Sequence, residues 1–103
     1  MQKIMLIGNL TKDVEIKATT NGKLVARFTL AVERPNTTDT TDFFDIVVWE
    51  KLAENCSQYL GKGLKVFVEG ILTTRTYQDK DGYNRKVYEI KANSVEFLSK
   101  KLV

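Results

Sequence analysis

The stretch DFFDIVVWE, residues 42–50, decides how the chain is read. It is bounded by acids and rich in aromatic and β-branched residues, so it reads as a β-strand. In a half-buried strand one parity is apolar and the other polar. Here Phe44, Ile46 and Val48 form one apolar row, while Phe43, Asp45, Val47 and Trp49 form a second row that is also largely apolar and carries two rings. One row can face a core. The second row needs a different explanation.

Working outward, residues 23–34, KLVARFTLAVER, alternate more cleanly. Leu24, Ala26, Phe28, Leu30 and Val32 share one face; Val25, Arg27, Thr29, Ala31 and Glu33 share the other. Pro35 ends this strand, and NTTDTTD is a polar loop. Upstream, residues 2–10 alternate up to Gly8-Asn9, and the chain then stays extended to Asn21-Gly22, a two-residue hairpin signal. Downstream, residues 50–60 change period. Leu52, Ala53, Cys56, Tyr59 and Leu60 fall on one stripe of an α-helix, with Gly61 or Gly63 as its stop. Residues 64–77 return to period two, with Gly70 marking a bend or bulge. A turn at Asp81-Gly82 leads into a last strand over residues 83–98.

Three strands, a short helix and two strands is the order of the OB-fold. The expected fold is therefore all-β: a five-stranded Greek-key barrel with one short helix between strands 3 and 4. The 103 residues suffice for one such domain spanning residues 1–103. No apolar run approaches the roughly 20 residues of a membrane span. The N-terminus has neither the apolar length nor the cleavage site of a signal peptide. The expectation is a cytoplasmic, nucleoid-associated protein with no membrane partner.

The chain has no His and one Cys, which argues against zinc sites and His-based catalysis. Cys56 reads as a small buried hydrophobe. DKDG resembles the start of a calcium loop but lacks the later ligands, and GKG at 61–63 lacks the glycine and hydroxyl of a phosphate loop. Asp39, Asp42 and Asp45 read as a solvated loop and strand end rather than a metal pair. We expect no cofactor, no metal, no catalytic residue and no enzymatic activity. The net charge of +3 is compatible with a polyanionic partner but does not establish one.

Placement of the charges says more. Binding a single nucleic-acid strand without sequence preference takes a basic groove and rings on which bases stack. Phe43 and Trp49 lie six residues apart on one face, roughly 20 Å along a strand, so they would serve different nucleotides. Tyr77 has the same parity as Arg75, placing a ring beside a cation. Lys51, Lys62, Arg75 and Arg85 flank or interleave with these rings.

The same residues carry a resemblance. GNLTKD, the pattern in NGKLVARFTLAVERP, the run from WEKLAE through YLGKG and VEGILTTRTY, and the DG turn resemble the bacterial single-stranded DNA-binding protein (SSB) family in order and spacing over nearly the whole chain. The resemblance implies an OB-fold, a homo-oligomer (tetramer favoured, dimer possible), and coating of single-stranded DNA in replication, repair or recombination, with replication proteins as further partners. The family's stacking rings fall on Phe43, Trp49 and Tyr77, and its phosphate-contacting positions on or near Lys51, Lys62 and Arg75. Arg34 and Arg85 complete the expected phosphate set.

Departures from the family pattern matter. Asn36 stands where an aromatic is common, the loop before Asp42 is short, and Asp45 introduces a negative charge on the proposed face. The sequence ends at SKKLV. On the resemblance it is expected to be a short form, truncated or naturally so, without the acidic-tipped tail that recruits partner enzymes. That ending also suits an alternative function: a short OB-fold adaptor of the primosome or replication-restart kind, bridging DNA and a helicase or its loader. An oligosaccharide-binding module is a third class. Ile7, Phe67 and Ile71 fit subunit contacts or a barrel interior equally well.

Overall fold

A computed structural model describes residues 1–36 and 39–99. Thr37 and Thr38 of the polar loop, and the run from Lys100 to Val103, lie outside the described residues. The elements in chain order are β1 (Ile4–Leu10), β2 (Glu15–Ala18), β3 (Leu24–Glu33), β4 (Thr41–Trp49), α1 (Glu50–Tyr59), β5 (Lys65–Gln78) and β6 (Asn84–Phe97). The first strand expected from the sequence is broken at 11–14, so its two halves count separately. The helix follows the third of the five expected strands.

The sheet runs β1-β5-β6-β4-β3-β2, and β1 also pairs with β3. That extra pairing, Asn9 with Ala31 and Leu10 with Leu30, closes the sheet into a barrel. Closure needs Gly8: a Cβ there would sit 2.5 Å from the Ala31 carbonyl oxygen. Among the described residues only β4 and β6 pair in parallel, through Ile46–Ile90 and Val47–Lys91. The topology is that of an OB-fold.

Period-two reading places the core correctly. Ala26, Phe28 and Leu30 of β3 and Ile46 and Val48 of β4 are buried in one cluster with Leu10, Val66, Val68 and Ile90. The helix adds Ala53, Cys56 and Leu60 to the same core. Burial pushes the Cys56 thiol up to about 12, which keeps it protonated and inert at neutral pH. Tyr59, expected on the buried stripe, is half exposed; its ring packs instead against Phe97 at 6.2 Å.

Turn geometry departs from expectation in two places. The Asn21-Gly22 connection is not a two-residue turn. Thr19 N–H donates to the Lys23 carbonyl and Gly22 N–H to the Thr19 carbonyl, enclosing three loop residues with Gly22 at φ 81°. The Asp79–Tyr83 connection repeats this pattern with Gly82 at φ 84°. A type I turn followed by a left-handed glycine restores the strand twist just as a two-residue turn does. At the helix end Leu60 is extended, with ψ 151°, so no left-handed glycine cap stops the helix; Gly63 serves the next turn, donating its N–H to Leu10. Gly70 does sit at a bulge, where β6 contributes one extra residue, and a Cβ there would lie 2.2 Å from the Lys91 carbonyl oxygen.

Candidate nucleic-acid interface

The second row of β4 faces out of the barrel. Its cross-strand partners on β3 are Val25 for Trp49, Arg27 for Val47, Thr29 for Asp45 and Ala31 for Phe43. Phe43 stands 65% exposed, Trp49 is half-buried, and Val47 and Val25 form a covered floor at 4% and 6%. An apolar floor on the outer face explains why the row reads as apolar although it never enters the core. Long side chains of the same face, with apolar stems and charged heads, are suited to cover it.

Glu89 of β6 joins this face to the long β5–β6 hairpin. Its Oε2 accepts the Arg27 Nε–H at 3.0 Å and its Oε1 accepts the Arg75 Nε–H at 2.9 Å. Arg75 and Tyr77 share one parity on β5, paired with Val87 and Arg85 on β6, so Tyr77 lies on the face of the hairpin that Arg75 and Glu89 occupy. Burial pushes the Glu89 carboxyl up. The hydrogen bonds and charges of the two arginines outweigh that, and the net shift is below its ordinary 4.5. Asp45 is held too: its Oδ1 accepts the Thr29 hydroxyl at 3.1 Å.

Trp49 ends β4 at the junction with α1, where Glu50 adopts a left-handed φ of 56° and accepts the Leu24 N–H through Oε1 at 3.0 Å. The indole borders a shallow cleft with Lys23 and Lys91. Tyr77 lies near the hairpin tip and is 46% exposed. The tip is ordered by Asp79, whose Oδ1 accepts the N–H groups of Asp81 and Tyr83 while Oδ2 accepts the Arg85 Nε–H at 2.8 Å. Those contacts, the Arg85 hydrogen bond first, hold the Asp79 carboxyl below its ordinary value.

The expected phosphate contacts divide into two kinds. Arg34 makes a two-bond pair with Asp42 at 2.9 and 3.0 Å, which lowers the aspartate and raises the arginine. Arg75 and Arg85 face Glu89 and Asp79, and Lys51 lies 3.8 Å from Glu54. All four arginines of the chain are thus paired with acids through Nε. The Lys62 side chain has no acidic partner among the described residues; its backbone N–H donates to Asp13, tying the loop after the helix to segment 11–14.

Sequence reading did not single out Arg27, Lys23, Lys91 or Glu89, which border the same outer face. Arg27 sat in the outward row of its strand and could have been found by parity. Lys91 and Glu89 needed the parallel β4–β6 register, which no local pattern encodes.

A closed barrel of these six strands, with one short helix between β4 and β5, defines a protein of the OB-fold class. Over residues 1–98 the chain matches the Single-strand binding protein family, and it belongs to that family. It is 45% identical over 105 residues to Single-stranded DNA-binding protein 2 of Staphylococcus aureus, an alignment covering 98% of this chain and 74% of that protein. It is 43% identical over 102 residues to the Single-stranded DNA-binding protein of Halalkalibacterium halodurans, covering 95% of this chain and 61% of the relative. Identity to Single-stranded DNA-binding protein A of Bacillus subtilis is 42% over 105 residues, 98% of this chain and 61% of that protein. The chain therefore spans between 61% and 74% of the length of these relatives.

Proposed function

We propose that this protein coats single-stranded DNA without sequence preference, in replication, repair or recombination, and acts by binding rather than catalysis. The observation that carries the reading is the outward row of β4. Phe43 and Trp49 lie where a strand's polar face belongs, on the same outer surface as Tyr77, among Arg27, Arg75, Lys23 and Lys91. Bases stack on the three rings, each contact contributing about 1–3 kcal/mol for any base. Phosphates meet the outer edges of Arg27 and Arg75 and the ammonium groups of Lys23, Lys62 and Lys91. Lys51, Arg34 and Arg85 serve the rim, where their acidic partners compete with phosphate. We place this function in the cytoplasm.

The protein works as a homo-oligomer, with a tetramer favoured over a dimer. Support comes from Ile7 and Met5 on the outside of β1 and Ile71 on β5, which stand 50%, 60% and 38% exposed rather than in the barrel interior. Replication proteins are further partners.

The test is a titration of Trp49 emission with oligo-dT in a salt series. The expected result is quenching on binding and an affinity that falls linearly with salt on a double-logarithmic plot. Unchanged emission with excess oligo-dT contradicts the reading. The adaptor alternative is selected if a helicase or its loader is captured while oligo-dT binds only feebly.

A further inference from the structure

We propose that Glu89 is a positioning residue for DNA binding: it fixes Arg27 and Arg75 as one preset receptor for a backbone phosphate. The inference rests on the single-stranded DNA reading above. Arg27 is on β3 and Arg75 on β5, two strands separated in the sheet by β4 and β6. Neither arginine can set the position of the other through a shared ladder. A carboxylate on β6 can, because it gives one oxygen to each, at 3.0 and 2.9 Å.

Both bonds use Nε–H. A guanidinium has five N–H donors in a rigid fork, so each arginine keeps its Nη groups for another acceptor. Exposure points the same way. The Glu89 side chain is 8% exposed, while those of Arg27 and Arg75 are 43% and 51% exposed. The acid is beneath and the forks are above.

Net charge does not make this a phosphate site. The groove bordered by the two arginines also holds Lys12, and against these three cations stand Glu89, Asp45 and Glu15. With charge nearly balanced, an anion is held by oriented donors rather than by bulk attraction, and orientation is what Glu89 supplies. Only a carboxylate of this length accepts from both arginines. Gln offers one acceptor and turns an amide donor toward the second guanidinium. Asp keeps the charge but falls one methylene short.

The experiment measures oligo-dT affinity across a salt series for the full chain and for E89Q and E89D, with circular dichroism melts fixing an assay temperature at which each is folded. E89Q gains one unit of net positive charge, yet we expect it to bind about tenfold more weakly. Its slope of log affinity against log salt should also be shallower by about one phosphate contact. E89D should behave like E89Q. Tighter binding by E89Q makes Glu89 a simple electrostatic brake and overturns the proposal; so does wild-type behaviour in E89D. If neither variant folds, a double-mutant cycle of R27K and R75K decides: losses of oligo-dT affinity that are clearly non-additive support one preset receptor, and additive losses overturn it. Wild-type protein that ignores oligo-dT removes the DNA reading itself, which is a different result from a wild type that binds and an E89Q that binds better.

Discussion

Two outer surfaces of the same barrel make an instructive pair. Over β4 and the β5–β6 hairpin the outward rings are Phe43, Trp49 and Tyr77, on the face where Arg27 and Arg75 are held by Glu89. Over β1 and the start of β5 the exposed groups are Met5 and Ile7, beside half-buried Phe67, with the Lys3–Glu69 pair at the margin. Aliphatic side chains offer no π-face to a base and here have few cations around them. They suit another protein surface. Hydrophobicity alone does not separate the two regions; the exposure of their rings and the fixed charge around them do.

The widest gap between the surfaces should open with Ile7→Asp. A carboxylate forced into an apolar subunit contact costs more than about 3 kcal/mol, enough to shift sedimentation toward smaller species. Oligo-dT binding per protomer should survive in those species. If the oligomer is unaffected, the aliphatic surface is not its interface.

Trp49→Ala tests the other surface. Loss of one stacking platform should weaken oligo-dT binding by about 1–3 kcal/mol, roughly 5- to 150-fold, read by anisotropy of a labelled oligonucleotide. Sedimentation should not change. An oligomer that falls apart on this change would mean that the ring face, too, is a protein contact.

Asp45→Asn gives the smallest effect, in the opposite direction. The side chain lies between Phe43 and Val47 in the outward row. Removing a negative charge about 8 Å from a passing phosphate is worth about 0.5 kcal/mol in water, roughly a twofold gain. The gain should vanish at high salt. Equal affinity at low salt would put the strand's phosphates away from this row.

Legibility in the sequence follows how local each feature is. The inner rows of β3 and β4 were readable because period two is imposed by the strand itself, residue by residue. Gly70 was readable because a glycine inside a strand signals a close backbone approach, and Lys91 does come within contact distance of its Cβ position. The outward placement of Phe43 and Trp49 was readable for the same reason as the core: parity put them opposite a row already assigned. The break at 11–14 was not, since the chain remains extended in composition across it. Nor was the condition of the arginines. Arg27 meets Glu89 across 62 residues, and only the closed barrel brings them together. The sequence marks where cations are; which of them are already occupied is a tertiary fact.

The most direct measurement is ultraviolet cross-linking of the protein to oligo-dT, with the adducts mapped by mass spectrometry. Phe43, Trp49 and Tyr77 should carry the thymine adducts. Tyr59 and Tyr88 serve as internal controls, being 50% and 58% exposed but outside the proposed face. Adducts concentrated on those two tyrosines, with the β4 row unmodified, would contradict the assignment of the outer sheet face to DNA.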